Sequence, residues 1–206
     1  MIDQSSLEKF DSQGMYKVYD IWPQIAKESY FSNLSQVEYH KCNHIVFAGM
    51  GGSGAIGDIF SAILSKTNTH VTVVKGYHLP KTVTVDSVVV VTSLSGNTVE
   101  TISMLENAIQ IKSKIIVFSD GGKIKEICMK ENIPHRNIKK YHSPRASFTS
   151  LLYGMLNILK PIIPINETDI LESINKMESI SKKINSKNIS KENPAIEISE
   201  WIENIP

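Results

Sequence analysis

Cysteine is scarce in this sequence, and the few cysteines present are not spaced as metal ligands or as a redox pair. The 206-residue chain has only two, Cys42 and Cys128, each inside an apolar stretch. We therefore predict two reduced, buried thiols rather than a disulfide framework. Because neither a CxxC pair nor an HExxH helix occurs, we predict no metal site, and we expect the protein to work without a cofactor.

Long apolar runs and an excess of one charge are lacking as well. No run approaches the roughly 18 apolar residues of a membrane-spanning helix. The first residues, Met1 to Gln4, show no basic and apolar segment of the kind that begins a secretory signal. A formal net charge of +1 gives no broad basic surface for nucleic acid or for an anionic membrane. We expect a cytoplasmic protein that binds neither a membrane nor a nucleic acid.

Short β-branched runs alternate with amphipathic helical patterns between residues 44 and 160. Each apolar run is nearly continuous, as in strands that are buried on both faces of a parallel sheet. The helical patterns carry apolar residues at i, i+3 and i+4 spacing, which indicates faces packed on a core. This alternation predicts an α/β fold with a doubly wound parallel sheet of about five strands, flanked by helices. The runs that we assign to strands are Ile45–Ala48, Val71–Val74, Val88–Thr92 and Ile115–Phe118.

Helical segments lie on both sides of this sheet region in the sequence. The first 35 residues predict a helix that bends or restarts at Pro23. Residues 167–192 predict an amphipathic surface helix, and Asn193-Pro194 predicts the start of another. We therefore divide the chain into an N-terminal helical segment (1–40), a central domain (41–165) and a C-terminal helical linker (166–206).

A glycine-rich loop, Gly49-Met50-Gly51-Gly52-Ser53-Gly54, follows the first predicted strand and leads into a predicted helix. Glycine allows positive φ and close backbone approach, and the N–H groups at the start of a helix attract an anion. The same residues match the dinucleotide-binding pattern GxGxxG, but no Asp or Glu occurs between Asp58 and Asp86 to hold a ribose. Lys75 can accept a 2′-phosphate, so NADP stays open as an alternative ligand.

A second polar loop follows the strongest predicted strand, which ends at Thr92. The segment Ser93-Leu94-Ser95-Gly96-Asn97-Thr98 opens another predicted helix, with Asn97 and Glu100 spaced as in a capping box. A cap needs only one polar residue, whereas this loop brings the hydroxyls of Ser93, Ser95 and Thr98. Hydroxyls together with loop N–H groups can surround the oxygens of a phosphate without a lysine. Two such loops at one edge of a parallel sheet predict a phosphate site.

The order strand–GMGGSG–helix followed by strand–SLSGNT–helix is similar to that of the sugar isomerase, or SIS, family. More narrowly, the motifs GMGGSGAIGD, KGYHLP at residues 75–80, SLSGNTVET and Ser143-Pro144-Arg145 resemble the bifunctional phosphoglucose/phosphomannose isomerases. The likeness covers about residues 40–160. It implies that a sugar phosphate is the partner of the protein and that the protein is a homodimer.

The resemblance also implies a role for each matching residue. The two loops then hold the phosphate, and Arg145 stabilises the negative charge of an enediolate that forms at C1 and C2 of the sugar. The reaction implied is the metal-independent isomerisation of glucose 6-phosphate and mannose 6-phosphate to fructose 6-phosphate. The residues implied in phosphate binding are Gly51, Gly52, Ser53, Ser93, Ser95 and Thr98.

No residue stands out as the general base that this isomerisation needs. Glu100 is spaced as a helix cap, Glu126 lies on a separate predicted helix, and His78 and His142 lie in loops that can approach the site. The family places its base and a ring-opening histidine in a second SIS domain. We therefore expect this chain to correspond to the N-terminal portion of such an enzyme and to be inactive by itself. A phosphosugar-binding module without catalysis and an NADP-dependent oxidoreductase are the alternatives.

Overall fold

A parallel five-stranded sheet forms the centre of the protein. The computed structural model describes residues 3–39, 42–190 and 192–203. All neighbouring strands pair in parallel, in the order β2-β1-β3-β4-β5. The predicted doubly wound α/β fold is therefore confirmed. The strands are β1 (His44–Gly49), β2 (His70–Val74), β3 (Val88–Thr92), β4 (Lys114–Ser119) and β5 (His135–Asn137).

Helices connect the strands and cover the sheet. Within the described residues, no helix is both long and apolar enough to cross a membrane. A 3₁₀ turn spans Lys160–Ile162. The α-helices described are α1 (Gln4–Phe10), α2 (Met15–Asp20), α3 (Trp22–Tyr30), α4 (Gly51–Leu64), α5 (Val99–Ile111), α6 (Gly122–Lys130), α7 (Phe148–Ile158), α8 (Glu167–Ile184) and α9 (Pro194–Glu203).

The sheet separates two apolar cores, because successive side chains of a strand point to opposite faces. One core joins Phe47 and Val90 to apolar side chains of α3, α4, α7 and α8. The other joins Val46 and Val91 to side chains of α5 and α6. Burying each large apolar side chain stabilises the fold by about 1.5–3 kcal/mol. The central strand β3 is buried along its whole length, which explains its continuous run of valines.

The winding direction of the chain reverses between β1 and β3. From β1 the chain passes through α4 to β2 on one side, whereas β3 pairs with β1 on the other side. The register places Gly49, at the end of β1, opposite Thr92, at the end of β3. In open α/β sheets, the crevice at such a switch point is where ligands bind. This topology brings the loop after β1 and the loop after β3 side by side.

The flanking segments differ from the prediction in detail. Residues 4–30 form three short helices instead of one bent helix, and Gly14, with φ +68°, is the residue before α2. Pro23 lies in the first turn of α3, as the predicted restart requires. Asn193 caps α9 as predicted, since its Oδ1 accepts the Ala195 N–H at 2.9 Å. The boundary predicted at residues 40 and 41 and both chain ends lie outside the described residues, and the division into domains stays a prediction.

Candidate functional site

An open cleft of about 720 Å³ lies at the carboxyl edge of the sheet, over the ends of β1 and β3. All four hydroxyl residues predicted to bind phosphate line the cleft, together with Gly52 and Arg145. Gly51 begins helix α4 beside Gly52. The structure thus brings the predicted residues together at one place. The lining consists of Met15, Trp22, Met50, Gly52, Ser53, Ile56, Thr92, Ser93, Leu94, Ser95, Thr98, Ser143, Pro144, Arg145, Phe148 and Leu151.

The first loop turns directly into helix α4 with no side chain capping the helix. The N-cap residue, Met50, has extended backbone and makes no side-chain hydrogen bond to the first turn. Gly51 has φ +53°, which favours glycine, and a Cβ added at Gly52 would meet no atom within 4 Å. An uncapped helix start leaves backbone N–H groups for a ligand, with the positive end of the helix dipole beside them. This junction is suited to an anion.

Gly54 of this loop has a packing role that explains the glycine without a bound dinucleotide. A Cβ at Gly54 would lie 2.8 Å from the Gly49 carbonyl oxygen and 3.1 Å from carbons of the Lys75 side chain. Glycine is therefore required for α4 to approach β1 and β2 closely. Lys75, the residue available for a 2′-phosphate, instead pairs with Asp58 of α4 at 2.5 Å.

The second loop presents hydroxyls at the start of helix α5. Thr98 is the N-cap of α5 but makes no side-chain hydrogen bond to the first turn of the helix. Its Oγ1 instead accepts the Ser93 hydroxyl at 3.0 Å, and the exposed Ser95 Oγ accepts the Asn97 N–H at 3.3 Å. The Ser95 and Thr98 hydroxyls each still have a hydrogen to donate, whereas the Ser93 hydroxyl donates its hydrogen to Thr98. The second junction, where the helix start also lacks a side-chain cap, therefore offers hydroxyls in addition to backbone N–H groups.

The loop after β4 holds this second loop in place and overturns the predicted capping box. Asn97 does not cap α5; its Oδ1 accepts the Lys123 N–H at 3.0 Å and so caps α6. The Asp120 N–H donates to the Leu94 carbonyl at 3.0 Å, and a Cβ on Gly96, which has φ +67°, would overlap the Gly121 carbonyl oxygen. Sequence spacing suggested the nearer helix because the partner lies 26 residues away. The second loop is thus held in place by the loop after β4.

Arg145 lies in the turn that precedes helix α7, exposed on the wall of the cleft. The Ser147 hydroxyl stabilises this turn by donating to the Ser143 carbonyl at 2.7 Å and accepting the Tyr141 N–H at 2.9 Å. In the described part of the chain, no carboxylate lies within 4.0 Å of the Arg145 guanidinium. Its positive charge is therefore available to a ligand.

Side chains of the N-terminal helices complete the cleft. These residues were not among those predicted from the sequence. Met15 of α2 and Trp22 of α3 line it, and the Trp22 indole N–H donates to the Ala146 carbonyl at 2.7 Å. Phe148 of α7 adds a further apolar wall. No local pattern identifies Met15 or Trp22, since both are separated from the motifs by a whole predicted segment. The one useful sequence feature is Pro23, which predicts the start of the helix that carries Trp22.

Candidates for acid–base chemistry do not reach the cleft among the described residues. Its lining contains no Asp, Glu or His. His78 and His142 are exposed outside it, and Glu100 lies in the first turn of α5. Burial lowers the pKa of His135, whose Nε2 lies 2.7 Å from Ser119 Oγ, but that pair is also absent from the lining. The cleft can bind an anion and stabilise negative charge.

Neither a metal centre nor a reactive thiol is assembled elsewhere in these residues. Over the described ranges, no three His, Cys, Asp or Glu side chains are grouped so that they can hold a metal ion. Burial raises the pKa of the Cys128 thiol to about 11 and also raises that of the half-buried Cys42, so both stay protonated at neutral pH.

The two loops of this cleft lie in a region that matches a known protein family. Residues 38–125, which contain both loops, match the family model of the SIS domain. The chain belongs to the SIS domain family. A bifunctional phosphoglucose/phosphomannose isomerase from Aquifex aeolicus is 33% identical to this SIS protein over 177 residues, which are 84% of the chain and 52% of the relative. One from Pyrobaculum calidifontis is 32% identical over 144 residues, 68% of the chain and 46% of the relative.

The SIS chain therefore spans about half the length of the curated relatives it matches. Solved structures agree with the fold. A glucosamine-6-phosphate deaminase from Thermotoga maritima superposes with a TM-score of 0.61 at 12% identity, over 81% of this chain and 54% of that one. At such low identity, the likeness shows the fold alone.

Proposed function

We propose that this SIS protein binds a sugar phosphate in the cleft and takes part in its aldose–ketose isomerisation. The observation that carries the proposal is the meeting of two helix starts without side-chain caps, those of α4 and α5, in one cleft with Arg145. We further propose glucose 6-phosphate and mannose 6-phosphate as substrates and fructose 6-phosphate as product. The names of the similar relatives support this choice.

The phosphate end of the ligand is proposed to lie between the two loops. Ser53 and Gly52 belong to the first turn of α4, and Ser95 and Thr98 lie at the start of α5. Hydroxyls and N–H groups bond a phosphate strongly because the acceptor is charged, and two helix dipoles favour the same charge. The missing Cβ at Gly52 leaves room for the phosphate to approach the helix backbone.

The sugar end is proposed to lie towards Arg145, which also lines the cleft. Isomerisation transfers a proton between C1 and C2 and passes through an enediolate, in which negative charge develops on oxygen. A guanidinium aimed at that charge stabilises the transition state more than the ground state. Arg145 has no carboxylate partner among the described residues, so its charge is not already neutralised.

A phosphosugar-binding module without catalysis is the second candidate. The observation that favours it is the absence of Asp, Glu and His from the described lining, because proton transfer needs a base. Arg145 favours the enzyme, since the hydroxyls and N–H groups of the two loops can bind a phosphate without a cation. The two candidates differ in how they recognise an enediolate-like ligand.

Calorimetry tests both candidates with 5-phosphoarabinonate, whose carboxylate takes the place of the enediolate. We expect this analogue to bind more tightly than glucose 6-phosphate, and Arg145→Ala to weaken the analogue by about tenfold more than it weakens the sugar. Equal weakening of both would favour the binding module. NADP should bind no better than inorganic phosphate; submicromolar NADP affinity would overturn the phosphosugar proposal.

A coupled assay for fructose 6-phosphate tests the location of the base. We expect the 206-residue chain alone to form negligible product, because general-base catalysis typically contributes 10²–10⁴-fold and no base lines the described cleft. Turnover by this chain at about 1 per second or faster, typical of enzymes, would place the base among its own residues.

A further inference from the structure

We propose that Trp22 is a positioning residue of the phosphosugar site, because its indole holds the backbone that presents Arg145 to the sugar. This inference rests on the proposed function and deepens it. It gives the N-terminal helices a part in recognising the reacting end of the ligand.

The first support is a hydrogen bond between distant parts of the chain. The Trp22 Nε1–H donates to the carbonyl of Ala146, the residue directly after Arg145, at 2.7 Å. Ala146 is fully buried, so water does not replace this donor easily. The indole N–H has only this donor function, and the short distance indicates a well-formed bond. Trp22 thus fixes the peptide group that follows Arg145.

The second support is a contact on the other side of Arg145. The Ser143 hydroxyl lies 3.6 Å from the Met15 sulphur, and the same oxygen accepts the Ala146 N–H at 3.2 Å. Met15 and Trp22 therefore touch the turn on both sides of Arg145, and both line the cleft. Helices α2 and α3 form one wall with the turn that carries the arginine.

The indole itself is held firmly. Helix α3 buries Ile25, Ala26 and Tyr30 in the core, and the Tyr19 ring packs edge-on against Trp22 at 4.7 Å between ring centroids. Arg145, in contrast, is exposed and has no ion pair in the described residues. No ion pair holds its side chain, so the position from which the guanidinium reaches the ligand is set by the backbone of the turn, which Trp22 restrains.

Trp22→Phe is the variant that tests the inference, because it keeps an aromatic ring and removes the N–H. Trp201→Phe is the matched control: Trp201, the only other tryptophan, is 67% exposed on α9. Affinities for 5-phosphoarabinonate and for inorganic phosphate are measured by calorimetry on both variants. We expect Trp22→Phe to weaken the analogue about fivefold to tenfold and to change inorganic phosphate by less than about twofold, since the phosphate loops are untouched. Trp201→Phe should change neither affinity.

A double-mutant cycle shows whether Trp22 acts through Arg145. In an Arg145→Ala background, Trp22→Phe should cause no further loss of analogue affinity. An equal loss in both backgrounds would overturn the inference, and so would unchanged analogue affinity in Trp22→Phe. Loss of inorganic phosphate binding together with the analogue would also overturn it, because Trp22 would then support the fold and not the arginine. If the wild-type chain binds neither ligand, the proposed function fails and this inference fails with it.

Discussion

Polar side chains occupy both edges of the sheet, but those at the amino edge form hydrogen bonds within the protein. At the start of β1, His44 Nδ1 lies 3.1 Å from Ser87 Oγ, and its Nε2 lies 3.2 Å from Thr72 Oγ1. Ser87 Oγ also accepts the Thr84 N–H at 2.9 Å. These groups bond one another across neighbouring strands and contribute to stability.

At the carboxyl edge, serine hydroxyls keep unused hydrogen-bonding capacity. Within the described residues, the Ser53 hydroxyl has no protein hydrogen-bond partner, and the Ser95 hydroxyl has only the Asn97 N–H at 3.3 Å. Helices α4 and α5, which begin there, lack side-chain caps, whereas the Asp169 carboxylate in the first turn of α8 accepts the N–H of the N-cap residue Asn166 at 3.4 Å. The amino edge therefore uses its hydroxyls for stability, whereas the carboxyl edge keeps hydrogen-bonding groups free, as the proposed ligand site requires.

The largest expected effects come from substitutions at two glycines of the carboxyl edge, Gly96 and Gly52. We expect Gly96→Ala to lower the free energy of unfolding by about 2–5 kcal/mol, because its positive φ disfavours alanine and its Cβ would overlap the Gly121 carbonyl. Gly52→Ala should change stability by less than about 0.5 kcal/mol, because its Cβ meets open space. The same Cβ should weaken sugar phosphate binding about tenfold by occupying the cleft.

Chemical denaturation and calorimetry on both variants give these numbers. A Gly96→Ala protein as stable as the wild type would show that the loop after β3 is not held by the loop after β4. Full sugar phosphate affinity in Gly52→Ala would show that the phosphate does not approach the start of α4.

The same substitution at each edge gives the next largest effect. Ser87→Ala should destabilise the protein by about 1–2 kcal/mol, because Ser87 is buried and the His44 ring and the Thr84 N–H each lose a partner. Ser95→Ala should leave stability nearly unchanged and weaken sugar phosphate binding by about 1–2 kcal/mol. Thr98→Ala should weaken binding by a similar amount.

Thermal unfolding with and without ligand separates the two outcomes. If Ser87→Ala weakened binding while Ser95→Ala destabilised the free protein, the assignment of the two edges would be reversed.

Local sequence patterns predict the sheet well where burial dictates the residues. The four assigned runs coincide with β1 to β4, because β1, β3 and β4 are buried on both faces and the partly buried edge strand β2 still consists largely of β-branched residues. The fifth strand, His135-Arg136-Asn137, is a short edge strand that pairs only with β4, so no apolar run identifies it. A strand can therefore be predicted from its apolar and β-branched residues, and a short strand of polar residues gives no such pattern.

The candidate site is predictable only as far as its residues lie in contiguous motifs. The two loops are, since each follows a strand and the parallel topology brings their ends together. Trp22, which lies 124 residues before its partner Ala146, is not. The capping role of Asn97 fails for the same reason, because its true partner belongs to the next helix. Long-range contacts depend on the packing of helices, which spacing in the sequence does not encode.

The smallest expected effect concerns the amino edge and pH. Burial lowers the pKa of His44 below its ordinary value of 6.5, and the nearby His70 ring lowers it further. The unfolded chain therefore binds a proton more readily than the folded protein, so stability rises with pH in this range. The contribution is complete above about pH 6.5 and is lost as the pH falls through the lowered pKa of the folded protein. Burial also lowers the pKa of His135, which acts in the same direction.

Denaturation between about pH 7 and pH 5 tests this assignment by comparing the wild type with His44→Gln and His135→Gln. Each variant should lose part of the pH dependence of the free energy of unfolding, because each removes one group that folding keeps neutral. His44→Gln should leave sugar phosphate affinity at pH 7 unchanged, since His44 lies at the edge opposite the cleft. A slope as steep in His44→Gln as in the wild type would show that this histidine titrates alike in the folded and unfolded states. Burial at the amino edge would then not keep the ring neutral, and the contrast between the two edges would rest on the serines alone.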